Sequence, residues 1–333
     1  MTNTLLILFL VTFATFSATL FLTWLLRRKL IKDAVLDRPN ERSSHKEPVP
    51  RGGGLAVIFV ILVGLVMTLA PDGAFSPYVW LLLGTVLLIL VSWLDDLHGV
   101  GSAIRLSVHI LAAAAGSLAF APNQMLFEEL LPLWADRAVL IILWAWFMNL
   151  YNFMDGIDGI TGIETTCLVI GAALLFAFSE AGGSFHYALI ALLMGASGGF
   201  LVLNWHPAQI FLGDVGSIPL GYLTGFLLLT LALNNLPVPA LILPLYYLAD
   251  SGITLGRRIL RREKFWQAHR QHFYQRATLK AGRHDVVVYW ILYANLGLII
   301  AALLAFLTPS IASLLAFVIV ALLLRKMHKV ASQ

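Results

Sequence analysis

Eleven long apolar segments restrict what this chain can fold into. A helix needs about 20 apolar residues to cross the hydrocarbon core of a bilayer, and most of the segments approach that length. Inside lipid, only helices and closed barrels satisfy their backbone hydrogen bonds. The sequence therefore predicts an all-α integral membrane protein with about eleven transmembrane helices in one domain over residues 1–333. The segments run approximately over 4–26, 54–70, 78–94, 104–121, 137–154, 160–179, 185–203, 217–233, 237–253, 286–307 and 309–325.

The composition excludes an ordinary soluble protein. Hydrophobic residues make up 59% of the chain and charged residues only 12%, whereas a soluble domain carries about twice that charged share. The formal net charge is only +4, and we expect membrane lipid as a partner and no nucleic acid. The single cysteine, Cys167, excludes an intramolecular disulfide.

The distribution of basic residues predicts the orientation of the helices. When the loops alternate between the two sides, 21 of the 22 Lys and Arg fall on one side, and only Arg137 falls on the other. Cytoplasmic loops carry an excess of Lys and Arg, so this side is predicted to be the cytoplasm. The N-terminus is then outside and the C-terminus inside. Every distinctive polar motif falls on the inner side.

The richest motif is N-L-Y-N-F-M-D-G-I-D-G, at the end of the fifth apolar segment. Asn149, Asn152, Asp155 and Asp158 recur every three residues, a spacing that keeps successive members on neighbouring parts of one helix face. Amide and carboxylate oxygens are hard ligands that suit Mg²⁺, which takes few protein ligands and completes its sphere with water and phosphate. The alternative is a solvated helix end with a glycine cap. It is less favoured, because aspartates at a helix C-terminus oppose the helix dipole.

Two further acidic motifs lie on the same side. W-L-D-D ends the third apolar segment, and its Asp95 and Asp96 repel each other unless a metal, an arginine or a proton relieves the repulsion. A solvated pair of loop carboxylates is the alternative. Arg105 opens the next segment, where it can supply a phosphate contact. F-L-G-D-V-G-S places Asp214 on a glycine-flanked turn that suits a metal ligand, and Phe211 is either a base-stacking or an interfacial aromatic residue.

The long inner loop over 254–285 is strongly basic. Most of its arginines are expected to anchor the loop to anionic lipid headgroups. His269, Arg270, His272 and Arg276 form a mixed group a few residues apart, a pattern that suits a clamp for two phosphates. Zinc binding by the histidines is disfavoured, because neither a cysteine nor an H-E-x-x-H motif accompanies them.

Taken in order, the motifs resemble those of the polyprenyl-phosphate N-acetylhexosamine-1-phosphate transferase superfamily. The resemblance covers residues about 37–276 and rests on D-R-P-N-E-R-S-S-H-K…P-R-G-G-G, W-L-D-D, N-x-x-N-x-x-D-G-x-D-G, F-L-G-D-x-G-S and the basic His loop. It implies transfer of a sugar 1-phosphate from a UDP-sugar to a polyprenyl phosphate such as undecaprenyl phosphate, with release of UMP. It also implies a Mg²⁺ cofactor, replaceable by Mn²⁺, and a multi-pass protein of the bacterial inner membrane with a cytoplasmic active site. A homodimer is a further expectation.

The resemblance also implies roles for individual residues. Asn152 and Asp214 match the metal-binding positions. Asp95 matches the residue that deprotonates or orients the lipid phosphate, and with Asp96 it is predicted to be catalytic. The predicted substrate-binding residues are Arg105, Arg270, His269 and His272 at the diphosphate, Asp158 and Phe211 at the uridine, and Lys46, Asp155, Asn204 and Arg276 elsewhere in the site.

The sugar is predicted from departures from the family pattern. The peptidoglycan branch has three consecutive histidines in the last loop, and bacterial members specific for N-acetylglucosamine have H-x-H-H, whereas this chain has A-H-R-Q-H-F-Y-Q-R. The chain looks more like members that take 6-deoxy-N-acetylhexosamines. It resembles the branch that initiates O-antigen or other surface polysaccharides. Phe273 and Tyr274 are expected to line the pocket for such a sugar.

Three other functions compete with this prediction. A muramoyl-pentapeptide phosphotransferase has the same chemistry with another donor. A proton-coupled transporter also places carboxylates in helices, but near the bilayer midplane rather than at helix ends. A CDP-alcohol phosphotransferase would carry D-G-x-x-A-R, whereas Asp155 and Asp158 are each followed by Gly-Ile. The sequence leaves open whether attack on the donor is direct or passes through an aspartyl intermediate.

Overall fold

The computed structural model describes residues 2–37, 47–70, 76–263 and 269–333. Within these ranges the regular structure is almost entirely helical, apart from a two-stranded antiparallel hairpin of β1 (Leu36–Asp37) and β2 (Val49–Pro50). The helices are α1 (Thr2–Lys32), α2 (Gly54–Leu69), α3 (Val79–His98), α4 (Ser102–Ser117), α5 (Leu133–Phe153), α6 (Ile160–Ser179), α7 (Ser184–Asn204), α8 (Asp214–Leu233), α9 (Pro237–Ile242), α10 (Leu245–Leu260), α11 (Phe273–Ala281), α12 (His284–Leu304) and α13 (Pro309–Ser332).

The structure confirms the prediction of an all-α integral membrane protein. In the described part of the chain, eight helices are long and apolar enough to cross a membrane, and α2 and α4 are shorter apolar helices. The count of eleven spans is not confirmed, because the ninth predicted segment, 237–253, is not a single helix. It is divided into α9 and α10 at Pro244, whose ring and missing N–H interrupt a continuous helix.

The centre of the bundle is α8, which packs against α2, α3, α5 and α6 and is the most buried of the eight long helices. At the periphery, α1 exposes large apolar side chains such as Leu5, Phe9 and Phe13. A surface rich in such exposed apolar side chains is typical of contact with a membrane or with another protein. The gradient from a buried centre to an apolar surface therefore agrees with a helix bundle in a bilayer.

Backbone hydrogen bonds join the start of α2 to the start of α8. The N–H of Phe211 donates to the Pro50 carbonyl at 2.8 Å, and the N–H of Gly54 donates to the Leu212 carbonyl at 2.8 Å. Gly54 packs directly on the backbone of Gly216, where a Cβ at position 54 would overlap it. The close approach requires glycine, and it holds two segments that are far apart in sequence in one place.

The motif-bearing ends of the helices meet at one end of the bundle, and we expect this end to face the cytoplasm. In a Cys167→Ser background, a cysteine at the exposed position of His98, beside W-L-D-D, should be protected from an impermeant thiol reagent in intact cells. A cysteine at the exposed Asn123, on the opposite loop side, should be labelled. The reverse labelling pattern would contradict the predicted orientation.

Candidate active site

Arg51 joins two of the acidic motifs. Its Nη2 lies 2.7 Å from Asp214 Oδ1 at the start of α8 and 2.8 Å from Asp96 Oδ1 at the end of α3. Burial would lower the pKa of the Arg51 guanidinium, but the adjacent carboxylates of Asp214 and Asp96 outweigh that effect and raise it. The guanidinium is therefore held in its charged form. Sequence reasoning missed Arg51 as a site residue, although it directly precedes the three glycines of P-R-G-G-G.

A second arginine holds the other aspartate of W-L-D-D. Arg105 Nη1 lies 2.6 Å from Asp95 Oδ2 and 3.5 Å from Asp214 Oδ2. Asp95 Oδ1 accepts the backbone N–H of Val100 at 2.6 Å, which fixes the carboxylate at the turn between α3 and α4. The predicted residues Asp95, Asp96, Arg105 and Asp214 thus lie together, and each of the two adjacent carboxylates pairs with its own arginine, which relieves their repulsion.

Asn152 and Asp155 complete this cluster from the end of α5. Asn152 Nδ2 donates to Asp214 Oδ2 at 3.3 Å, and the Ser217 hydroxyl donates to Asn152 Oδ1 at 2.6 Å. Asp155 Oδ1 accepts the Thr161 hydroxyl at 2.5 Å. Burial raises the pKa of the Asp155 carboxyl to about 6, and nearby Asp214 adds to the shift. The pKa of Asp155 therefore depends on the negative charge of its neighbours.

The prediction that the Asn/Asp ladder occupies one helix face is wrong. α5 ends at Phe153, so Asp155 and Asp158 lie in the turn before α6 rather than on the helix. The turn ends at Gly159, whose φ of +78° is accessible to glycine at little strain. Asn149 points back along α5, where its Nδ2 donates to the Ala145 carbonyl at 2.7 Å.

Asp158 faces away from the cluster, toward two histidines that no sequence motif singled out. Its Oδ2 lies 2.6 Å from His206 Nδ1 and accepts the backbone N–H of Ala208 at 3.1 Å, and its Oδ1 lies 3.0 Å from His284 Nδ1. Burial alone would raise the pKa of Asp158, but the contacts with His284 and His206 lower it. Among the described residues, Asp158, His206 and His284 each offer one atom that could bind a metal ion, and these atoms all lie within 4.8 Å of one another.

The remaining loop residues are tied to the backbone around the site. Asn204 Oδ1 accepts the N–H of Gly159 at 2.8 Å, and its Nδ2 donates to the Ile210 carbonyl at 2.9 Å. Phe211 is half-buried and pairs with Arg51 in the backbone contact between the starts of α2 and α8. The predicted contacts of Asn204 and Phe211 with a substrate remain predictions.

The basic loop is more buried than its sequence predicts. His272 is only 2% exposed, and its Nδ1 lies 3.1 Å from Asp250 Oδ1. The His269 ring stacks on it at 4.9 Å, and burial together with His272 lowers the pKa of His269 to about 4. These neighbours favour the neutral form of His269, and its predicted contact with the diphosphate stays a prediction. Arg270 and Arg276 are both half-buried, and Lys46 lies outside the described residues.

The predicted sugar pocket lined by Phe273 and Tyr274 is wrong. Phe273 is 7% exposed and Tyr274 is fully buried, so neither side chain borders an open space. Both residues belong to the first turn of α11, a helix inside a region that the sequence predicts only as a loop. Their aromatic side chains pack into the protein because α11 is amphipathic.

The cluster as a whole carries excess negative charge. Within the part of the chain that the structure describes, Asp95, Asp96, Asp155 and Asp214 lie near two guanidinium groups, those of Arg51 and Arg105, and these groups together have a formal excess of two negative charges when all are ionised. Such an excess is stabilised by a divalent cation or relieved by protonation. The arrangement suits the neutralisation of a phosphate-rich ligand by arginine and cation together.

Comparison with known proteins extends over most of these motifs. A model of the family described as "Glycosyl transferase family 4" matches residues 78–232. The chain is 27% identical over 269 residues to a probable undecaprenyl-phosphate N-acetylglucosaminyl 1-phosphate transferase of Bacillus subtilis (strain 168), covering 77% of this chain and 73% of that protein. It is also 31% identical over 233 residues to a phospho-N-acetylmuramoyl-pentapeptide-transferase of Carboxydothermus hydrogenoformans, covering 62% of this chain and 70% of that protein.

The chain belongs to glycosyl transferase family 4. The predicted membership of the polyprenyl-phosphate N-acetylhexosamine-1-phosphate transferase superfamily is thereby confirmed, and the protein is an enzyme of the phospho-sugar transferase type. The region that matches glycosyl transferase family 4 runs from the start of α3 to the end of α8. It contains all four clustered aspartates, whereas Arg51 and the basic loop lie outside it.

Proposed function

We propose that the protein transfers N-acetylhexosamine 1-phosphate from a UDP-sugar to polyprenyl phosphate, such as undecaprenyl phosphate, at the cytoplasmic face of a bacterial inner membrane. The products are a polyprenyl-diphospho-sugar and UMP. The observation that carries the proposal is the aspartate–arginine cluster at the end of an apolar helix bundle, formed by four segments of the chain. Both relatives are transferases of phosphorylated sugars by name, and the name of one of them includes undecaprenyl phosphate.

A Mg²⁺ ion, with Mn²⁺ as a substitute, is part of this proposal. Asp214 and the amide oxygen of Asn152 would hold it, and two protein ligands suit Mg²⁺, which keeps water and phosphate oxygens in its sphere. Asn152 can turn its oxygen toward the ion, because the Ser217 hydroxyl that donates to it can donate instead to the Gly213 carbonyl, 3.3 Å away. The ion would supply charge neutralisation at the donor diphosphate.

The protein residues would position the two reacting phosphates. An oxygen of the lipid phosphate forms a bond to the sugar-linked phosphorus of the donor, while the bond from that phosphorus to UMP breaks. Arg105, held by Asp95, and Arg51, held by Asp96, present fixed positive charge to the phosphates. Phosphoryl transfer depends mainly on such positioning and charge stabilisation. Asp95 is proposed to orient or deprotonate the lipid phosphate.

The proposed donor carries a 6-deoxy-N-acetylhexosamine, and the pathway is the initiation of O-antigen or another surface polysaccharide. The support is the departure of A-H-R-Q-H-F-Y-Q-R from the histidine patterns of other branches, together with the burial of His272 on Asp250. His272 is only 2% exposed, so the ring offers a sugar hydroxyl almost no accessible surface. A site without that hydrogen bond discriminates little against a sugar that lacks the hydroxyl.

We expect UDP-activated 6-deoxy sugars of the FucNAc or QuiNAc type to be used at least as well as UDP-GlcNAc. The measurement is kcat/KM for UMP release by purified enzyme with each donor and the same polyprenyl phosphate. UDP-MurNAc-pentapeptide belongs in the same series, because one relative is a muramoyl-pentapeptide transferase. A strong preference for UDP-GlcNAc or for the pentapeptide donor would contradict the sugar proposal and leave the transferase proposal intact.

A further inference from the structure

Asp250 is a fully buried carboxylate in the middle of α10. Its Oδ1 accepts the backbone N–H of Phe273 at 3.0 Å and lies 3.1 Å from His272 Nδ1. Its Oδ2 accepts the backbone N–H of Tyr274 at 3.1 Å. Two hydroxyls of α10 also donate to it, at 3.3 and 3.4 Å. These donors satisfy both oxygens, which a buried carboxylate requires.

The groups that donate to Asp250 show which part of the protein it holds in place. His272 precedes α11, and Phe273 and Tyr274 supply the first two backbone N–H groups of that helix. Those groups have no partner within a helix, so a side chain or solvent must accept them. A carboxylate at this end also interacts favourably with the helix dipole. Asp250 therefore caps α11 from another helix and fixes the point where the basic loop ends.

Tyr274 extends this contact to the reaction site. Its hydroxyl donates to the Phe153 carbonyl at 3.0 Å and interacts with the backbone of Gly156. Phe153 is the last residue of α5, and Gly156 follows Asp155. The hydroxyl thus bridges the turn that carries Asp155 and that begins directly after Asn152.

We propose that Asp250 is a positioning residue for the transfer reaction. Through Tyr274 it holds the turn that carries Asp155, and through His272 it holds the end of the basic loop. This inference deepens the proposed function and rests on it. Asp250 is fully buried among its donors, so it acts through the groups that it places. A displacement of about 1 Å in such groups can slow a reaction about a hundredfold.

The chain offers a matched control for Asp250. Asp136 is also fully buried, and it also accepts two backbone N–H groups, from Leu126 at 3.0 Å and from Phe127 at 2.9 Å. It lies near the beginning of α5, at the other end of the helix from Asn152. We expect Asp250→Asn and Asp136→Asn to lower the thermal midpoint to a similar extent. Only Asp250→Asn should lower kcat, by at least about tenfold, with little change in KM.

Tyr274→Phe isolates the link to the site, because it removes one hydroxyl and leaves the cap of α11 intact. We expect it to lower kcat with a thermal midpoint close to wild type. The double variant with Asp250→Asn should be no slower than Asp250→Asn alone, since both changes release the same turn. Hydrogen exchange followed by mass spectrometry should rise over residues 150–160 in both single variants and not in Asp136→Asn.

Unchanged kcat and unchanged exchange in Tyr274→Phe would overturn the proposal, and so would equal kcat values for the two Asp→Asn variants. If Asp250→Asn does not fold, Tyr274→Phe and Asp250→Glu decide the question by the same two measurements. If the wild-type enzyme releases no UMP with any donor, the proposed function fails. In that case, exchange over residues 150–160 still tests whether Asp250 holds the turn.

Discussion

Asp214→Ala is expected to reduce turnover by at least about a hundredfold while the protein remains folded. Asp214 contacts Arg51, Arg105 and Asn152, and it is the proposed cation ligand on a turn that leads into the central helix. Loss of one principal electrostatic stabiliser typically lowers kcat by a factor of about 10² to 10³. The measurement is UMP release from a UDP-sugar and polyprenyl phosphate, with folding followed by the thermal midpoint.

Asp285→Ala is the matched control for this variant. Asp285 also lies in the first turn of a long apolar helix, α12, and also pairs with an arginine, Arg283, at 2.5 Å. It is outside the aspartate–arginine cluster and should leave turnover close to wild type. Substantial activity in Asp214→Ala would contradict the assignment of Asp214. Full activity of the wild-type enzyme in EDTA would contradict the proposed Mg²⁺ requirement.

Arg51→Ala is expected to lower turnover at least about tenfold and to make the protein dependent on Mg²⁺ for stability. Without Arg51, the carboxylates of Asp96 and Asp214 lose the guanidinium that lies between them. The Arg51 side chain is 41% exposed, so solvent screens part of this interaction and the loss of stability is modest. In EDTA we expect the thermal midpoint to fall by about a few degrees, and added Mg²⁺ to reduce the difference from wild type.

The control for Arg51→Ala is Arg283→Ala, which removes an exposed arginine that pairs with Asp285 outside the aspartate–arginine cluster. It should leave turnover unchanged and should show no Mg²⁺-dependent stabilisation beyond that of the wild type. If Arg51→Ala turned over at the wild-type rate, Arg51 would have no role in the active site. If the thermal midpoint of Arg51→Ala fell equally with and without Mg²⁺, Arg51 would not act at the site of the proposed cation.

Much of the cluster was predictable because its residues lie at the ends of apolar segments. Helices that cross a bilayer must place their ends on one of two sides, so the order of the segments alone brings Asp95, Asp155 and Asp214 to the same end. The partnership of Arg51 with Asp214 was not predictable in this way. Arg51 and Asp214 are 163 residues apart in sequence, and the backbone pairing of Arg51 with Phe211, which brings them together, follows from no sequence periodicity.

The errors have equally local causes. A hydropathy average over 237–253 conceals Pro244, which divides that segment into two helices. The spacing of the Asn/Asp ladder suits a helix, but α5 ends at Phe153, so the chain has left the helix before it reaches Asp155 and Asp158. The burial of the basic loop was also not predicted, because Asp250, 22 residues earlier, binds His272 in the interior. Tertiary contacts of this kind override a local pattern. The predicted phosphate contacts of this loop stay predictions.

The joint between the starts of α2 and α8 determines how the enzyme can respond to its bilayer. Lipids of different chain length make helices tilt, and a tilt ordinarily changes the distance between groups on different helices. Arg51 and Asp214, however, flank the same backbone contact, where Gly54 rests on Gly216. Any tilt must carry both charges together. We therefore expect the distance between Arg51 and Asp214 to change little with membrane thickness, and the lipid-facing outer helices such as α1 to take up most of the tilt.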